Sequence, residues 1–197
     1  MFEEVLASVL GPSWSLPQDV VCRLKLHYEL LVRWNRRLNL TAIRSLEEAV
    51  ERHYCEALFL AEHLPEMVGS VCDVGSGAGF PGLPLAISRP ECKVTLVECH
   101  QRKAVFLKEA SRGLANVKVL CVRAEEVSET FDVVVSRAVG WEDLRKCAKR
   151  LAPRLALLTS LKGSEAVMKT SAFELFHVKP LPWGNHRVFL SATWRST

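Results

Sequence analysis

Apolar positions along the chain change their spacing near residue 66. Before it the period is helical: Val20, Leu24, Leu31, Trp34 and Leu38 recur at intervals of three, four and seven. Pro17 suits the first turn of that helix. Its opposite face presents Arg23, Arg33, Arg36 and Arg37. Ser45 with Glu48 reads as a capping box opening a further helix that runs to about His63. Beyond that point short apolar blocks alternate with helical stretches. Strands are expected at 70–74, 93–97, 117–122, 131–135 and near 155–158, with helices at 101–112 and 141–150. A glycine loop followed by apolar 83–87 lies between the first two strands, and segments 172–179 and 186–194 read as a closing antiparallel pair. The pattern predicts an α/β fold: a mostly parallel, doubly wound sheet with an N-terminal helical extension. It is expected to form one domain over 1–197, with the extension at 1–66 and the core at 67–197.

Composition narrows the class. Of 197 residues, 49% are hydrophobic and 24% charged, which excludes global disorder. No apolar run approaches the length of a membrane span, and the acidic start Met1-Phe2-Glu3-Glu4 is wrong for a signal peptide. Seven cysteines without any C-x-x-C pair read as reduced thiols, with neither a disulfide framework nor a metal site. A cytoplasmic protein is expected, without membrane or metal partners and acting as a monomer. The net charge of +4 hides strong segregation. Residues 23–44 carry a surplus of five positive charges and residues 145–197 a surplus of eight, around an acidic middle. Two basic flanks point to a polyanion, and nucleic acid is the commonest one.

The loop Asp73-Val-Gly75-Ser-Gly77-Ala-Gly79-Phe80-Pro-Gly82 leaves a strand and enters a helix, an arrangement whose backbone N–H groups hold an anion. A nicotinamide dinucleotide needs G-x-G-x-x-G with a small last residue, and that position here is Phe80. Asp73 would repel phosphate but suits an ammonium group. A nucleoside carrying an amino acid, S-adenosylmethionine, fits both features. Glu98, at the end of the second strand, is placed to accept from two ribose hydroxyls. Arg123-Ala124-Glu125 ends the third strand, putting Ala124 and Glu125 beside the adenine, and Ser136-Arg137-Ala138 ends the fourth. In an open parallel sheet all these strand ends meet in one crevice.

In order along the chain stand Asn39-Leu-Thr41, Arg52-His53, the Asp73–Gly82 loop, Arg123-Ala-Glu125, Ser136-Arg-Ala138 and Leu161-Lys-Gly163. Over roughly 20–190 the chain resembles the bacterial small-subunit ribosomal RNA guanine-N7 methyltransferases, also called glucose-inhibited division protein B. The resemblance implies a Rossmann-like class I methyltransferase, S-adenosylmethionine as donor and a guanine of 16S ribosomal RNA, free or in the small ribosomal subunit, as acceptor. Carried onto this chain it places Gly75, Phe80, Ala124, Glu125 and Arg137 at the donor, beside Asp73, Gly77, Gly79 and Glu98. Arg137 and Lys162 become the catalytic or positioning candidates; Arg36, Arg37, Asn39, Arg52, His53 and Arg187 become the RNA or acceptor candidates. Where the family has an Asp-Ser pair this chain has Glu56-Ala57, and where it has Gly-Glu-Arg this chain reads Gly184-Asn-His186-Arg187, leaving either His186 or Arg187 to face RNA.

Guanine N7 carries a free lone pair and no proton, so its methylation needs alignment rather than a general base. Three alternatives stay open on sequence alone. A dehydrogenase is disfavoured by Phe80. A methyltransferase of another RNA, a protein or a small molecule is the second, and a protein or small molecule as acceptor leaves the basic flanks unused. A non-catalytic RNA-binding assembly factor leaves the loop and Glu98 without purpose.

Overall fold

A computed structural model describes residues 1–170, 172–184 and 186–195. Phe2, Leu6 and Leu10 bury one stripe of α1 (Phe2–Leu10), a helix whose spacing of four is plain in the sequence but outside the expectations above. Helix α2 (Gln18–Leu38) buries Val20, Leu24, His27, Leu31 and Asn35, and ends at Asn39 in a left-handed conformation, φ 48°. The Asn35 amide then exchanges two hydrogen bonds of 2.9 Å with the backbone of Thr41, turning the chain back. The Ser45 hydroxyl caps α3 (Leu46–Ala49) by accepting from Glu48 N. The coil then widens into a π-helical stretch, Val50–Cys55, before α4 (Glu56–His63). Such widening is uncommon and tends to mark functional positions; here it carries Arg52, His53 and Tyr54.

The core is a seven-stranded sheet in the order β3-β2-β1-β4-β5-β7-β6. Strands β1 (Ser70–Val74), β2 (Lys93–Val97), β3 (Val117–Leu120), β4 (Val133–Arg137) and β5 (Arg154–Ser160) run parallel. Strands β6 (Phe173–Pro180) and β7 (Arg187–Trp194) close the sheet antiparallel, as the alternation near the end predicts. Helices α5 (Gly82–Ser88) and α6 (Gln101–Ala110) cover one face together with α2 and α4, and α7 (Trp141–Leu151) and α8 (Leu161–Met168) cover the other. The period of two decides which side chain goes where: Val133, Val135, Ala156 and Leu158 face the first layer, while Val134, Leu155 and Leu157 face the second. The third strand stops at Leu120, two residues earlier than expected, and the fourth is shifted toward Arg137. Four of the cysteines are buried and three, Cys22, Cys99 and Cys121, are exposed; all seven are free thiols. The sheet order reverses between β1 and β4, and their carboxyl ends form the crevice of the doubly wound fold.

At the other end of those strands Asp132 ties β1 to β4. Its Oδ2 accepts from Gly69 N at 2.9 Å, Ser70 N at 2.8 Å and Ser70 Oγ at 3.0 Å. Burial alone would raise its pKa, but these donors outweigh it and hold the carboxyl below its ordinary value. A depressed folded-state pKa contributes stability above the unfolded value that fades as pH falls through the folded one. Asp132→Ala should therefore cost about 1–3 kcal/mol at pH 7. The gap to wild type should shrink in urea melts below about pH 4, where the unfolded carboxyl is already protonated.

Candidate active site

The loop after β1 alternates left-handed glycines, with φ of 72° at Gly75, 56° at Gly77 and 89° at Gly79. Gly75 N and Ser76 N both donate to Val97 O, at 2.9 and 3.1 Å, which sews the loop to the end of β2. Two buried carboxylates complete it. Asp73 Oδ2 accepts from Gly82 N at 3.0 Å and so caps α5. Glu98 Oε2 accepts from Gly77 N at 3.0 Å, while its Oε1 accepts from His100 N at 2.8 Å. A side chain on Gly75 would overlap Val139, and one on Gly82 would overlap Leu96 and Asp73. The glycines thus serve both backbone conformation and close packing.

The loop opens onto a cavity of about 330 Å³ at the carboxyl ends of the strands. Val74 and Gly75, Glu98, Ala124 and Glu125, and Val139 line it, so the ends of four strands meet here, but Asp73, Gly77, Gly79 and the expected Ser136, Arg137 and Ala138 are not among its lining residues. Helix α7 adds Leu144 and Lys146, which the sequence reading did not single out; the strong amphipathic pattern of α7 was the available signal. Ala124 and Glu125 lie in a 3-10 turn, Ala124–Glu126, held from α7 by Arg150. That guanidinium donates to Val127 O, to Ala124 O at 3.1 Å and to Glu125 O at 3.0 Å. The side chains of Glu98, Cys99 and His100 come within 4.8 Å of one another, but both Glu98 oxygens already accept backbone N–H groups.

Phe80 does not line this cavity. It is buried beneath the helical extension, with His53 stacked on it at 4.5 Å and Tyr54 edge-on at 5.1 Å. His27 lies 5.2 Å away; its Nε2–H donates to Ala78 O at 3.1 Å, and its Nδ1 accepts from Tyr54 OH at 3.0 Å. The carbonyl can only accept, which fixes this tautomer. Burial lowers the His27 pKa to about 4. His27 was missed in the sequence, although its place between Leu24 and Leu31 on the apolar stripe signals a buried imidazole.

Arg137, at the end of β4, is half-buried; it lies over the Phe80 ring at 5.2 Å and donates to Arg52 O at 2.6 Å. Burial brings its pKa down to about 10, so it stays charged at neutral pH. His53 is buried, and burial with Arg137 nearby lowers its pKa to about 2; its Nε2 pairs with Thr41 Oγ1 at 2.8 Å. It is a neutral packing group in this structure rather than an open acceptor-facing one. Arg52 pairs with Glu48 at 3.0 Å on the surface. Arg187 forms a two-pronged pair with fully buried Glu56, at 3.0 and 2.6 Å, so the two departures from the family pattern are each other's partners. His186 is exposed, with φ 66°. Arg36, Arg37 and Asn39 are exposed at the end of α2, and Lys162 is exposed in the first turn of α8; none of these four lines the cavity.

Among the described residues, Asp73 is the acid that burial penalises most. It is wholly buried, Oδ1 has no hydrogen-bond partner among the described residues, and burial raises its pKa to about 7. An orphaned acceptor beside an amide-lined loop suits a ligand that brings an ammonium group. A raised pKa means that stability is lost as pH climbs from the unfolded value toward 7. Ligand-free Asp73→Asn should accordingly melt several degrees higher than wild type at pH 8, by about 2–4 kcal/mol. The gap should narrow toward pH 5, as scanning calorimetry at the two pH values would show.

The profile of the family described as rRNA small subunit methyltransferase G matches residues 21–175. A protein of Methylobacillus flagellatus called ribosomal RNA small subunit methyltransferase G is 36% identical over 189 residues, covering 90% of this chain and 91% of its own. One of the same description from Mycoplasma capricolum is 37% identical over 160 residues, covering 78% and 69%. Another from Xylella fastidiosa is 47% identical over 128 residues, covering 63% of this chain and 59% of its own length. Among solved structures, a SAM-dependent methyltransferase from Aquifex aeolicus superposes with a TM-score of 0.60 at 17% identity, over 75% of this chain and 93% of that one. A SAM-dependent O-methyltransferase from Thermotoga maritima gives 0.60 at 17% identity, over 85% and 72%. At such identities the structural likeness speaks for the fold alone.

Proposed function

Because the chain belongs to the rRNA small subunit methyltransferase G family, we propose that it transfers a methyl group from S-adenosylmethionine to N7 of one guanine in 16S ribosomal RNA. The observation that carries this reading is Glu98, only 5% exposed, gripping Gly77 N of the glycine loop at the mouth of a cavity walled by four strand ends. When bound, S-adenosylmethionine supplies a methyl carbon on a positively charged sulfur, whose bond breaks as the N7 lone pair forms the new one. The residues of this chain then act by binding and alignment. Loop amides take the donor carboxylate, the free Oδ1 of Asp73 takes its ammonium, and Glu98 takes the ribose hydroxyls on lone pairs left by Gly77 and His100. Ala124 and Glu125 border the adenine, and Phe80 supports the loop from below. Arg137 positions the reacting groups while charged, and Lys162 and Arg187 approach the RNA. Arg36, Arg37, Asn39 and Arg52 supply the outer contacts, and buried His53 backs the acceptor side through Phe80. The enzyme works as a cytoplasmic monomer without metal, its 1–66 extension and 67–197 core forming one domain. No described helix is long and apolar enough to cross a membrane.

The direct test is incubation of small ribosomal subunits with labelled S-adenosylmethionine, followed by nuclease digestion and mass mapping of the RNA. A single 7-methylguanosine is expected; label on another base, or on protein alone, contradicts the reading. Donor binding is checked separately by calorimetry on Glu98→Ala. Losing a charge-assisted pair worth roughly 1.5–3 kcal/mol should weaken donor affinity by about one to two orders of magnitude, leaving RNA affinity unchanged. The basic end of α2 is checked by reversing Arg36 and Arg37 to Glu. Half-maximal methylation should then need more RNA and vary less steeply with salt, since fewer counterions are released. Donor binding should stay intact. Normal methylation at both low and high salt would assign RNA contact to the basic C-terminal segment instead.

A further inference from the structure

Between β2 and α6 the chain makes a short turn, Glu98-Cys99-His100, in which Glu98 Oε1 accepts from His100 N at 2.8 Å. The turn gathers three ligand atoms of different kinds. A carboxylate oxygen of Glu98, the sulfur of Cys99 and a ring nitrogen of His100 lie within 4.8 Å of one another, the one such group among the described residues. We propose that this turn binds a zinc-like divalent cation, and that the bound ion excludes S-adenosylmethionine. The binding stands on these side chains alone, whereas the exclusion rests on the methyltransferase reading. On that reading the ion takes no part in the transfer and only blocks it.

Four observations carry it. The donor set is one oxygen, one sulfur and one nitrogen, which zinc takes readily with a water as fourth ligand. Magnesium and calcium want a shell of oxygens and find a single carboxylate here. Arg102 and Lys103 follow in α6 and offset the acidic ligands, so selection rests on the donor atoms rather than on a negative field. Second, the two outer ligands are free to move. Cys99 is an exposed free thiol, and exposed His100 precedes α6 without capping it through its side chain. Ligands that share a tetrahedral zinc lie about 3.3–3.6 Å apart, a distance these two side chains reach by rotation. Third, Glu98 is anchored. It is only 5% exposed, and each oxygen accepts one backbone amide, from Gly77 or His100, and keeps a lone pair. Those lone pairs are the ones that meet the ribose, so ion and donor compete for one carboxylate. Fourth, Cys99 lines the donor cavity beside Glu98, which puts an ion on its sulfur inside the space the nucleoside needs. The thiol releases its proton to water as the sulfur–metal bond forms. No Cys-x-x-Cys pair announces such a site, because its ligands are three consecutive residues.

Cobalt(II) is the probe for the site, since it takes zinc's place among such ligands and its bond to a thiolate absorbs in the near ultraviolet. The donor-free wild type should show that band, and added zinc should erase it. Cys99→Ser should lose the band, and His100→Ala should bind cobalt at least ~10-fold more weakly. Cys22→Ser, which removes an exposed thiol from α2, should keep it. Calorimetry then reads the exclusion. With zinc at about ten times its own dissociation constant, the apparent Kd for S-adenosylmethionine should rise about tenfold, and magnesium at the same concentration should leave it unchanged. His100→Ala keeps the backbone amide that Glu98 accepts, and His100 does not line the cavity. Its donor Kd without zinc should therefore stay within about twofold of wild type, and zinc should no longer shift it. No cobalt band, or one unchanged in both Cys99→Ser and His100→Ala, overturns the site. Zinc that binds there yet leaves the donor Kd unchanged overturns the exclusion. The methyltransferase reading fails on a different result: if chelator-treated wild type binds no donor, that reading is lost, while the cobalt spectrum still decides the site.

Discussion

Two buried carboxylates hold the site together by what they accept. A loop with three left-handed residues in five lies where water is largely excluded, so its amides need partners, and the backbone supplies them for Gly75, Ser76 and Gly79 but not for Gly77. Asp73 takes the first amide of α5 and Glu98 takes the amide of Gly77, so strands β1 and β2 each contribute one acid to the same turn. Glu98 uses both oxygens and is stable there. Asp73 keeps one oxygen without a partner and has a pKa raised by burial to about 7. An ionised Asp73 thus costs the fold stability, a cost that the proposed ammonium-bearing donor would offset.

The helical extension belongs to this arrangement rather than lying beside it. The largest hydrophobic cluster runs without a break from Phe2 and Leu24 through Tyr54 and Phe80 to Leu96 and Val135. His27 reaches from α2 to the carbonyl of Ala78, between two left-handed glycines, and the π-helical stretch delivers His53 and Tyr54 to Phe80. The same α2 ends in the exposed Arg36 and Arg37. One helix therefore joins the basic surface to the glycine loop. Opposite it, the buried Glu56–Arg187 pair locks α4 to β7, and a pair of this kind specifies an arrangement more than it stabilises one.

Much of this was legible in the sequence because it depends on local periodicity. The short apolar blocks at 70–74, 93–97 and 131–135 and the glycine spacing after Asp73 point to the sheet and the loop, and the convergence of Glu98, Ala124 and Glu125 with the loop follows from topology alone. What sequence could not supply depends on contacts between distant residues. Phe80 reads as a loop residue beside the donor but turns inward, since an aromatic cluster from α2 and the π-helical stretch is waiting for it. His53 reads as an acceptor-facing group, yet packing against Phe80 buries and neutralises it. The choice between His186 and Arg187 is open in the sequence, whereas the structure ties Arg187 to Glu56, a residue 131 positions away. Val139 carries no motif, and its place against Gly75 in the cavity wall follows only from the left-handed turn at Ala138.

The central claim is that the braced loop and the four strand ends form one donor site. Amide hydrogen exchange of the full chain, with and without S-adenosylmethionine, tests it most directly because it reports where the ligand acts. Slowed exchange is expected at 75–82, 98–100 and 122–126 and at the start of α7, with the sheet edge at β6 unchanged. Protection confined to other segments, or no protection at a saturating donor concentration, would contradict the account.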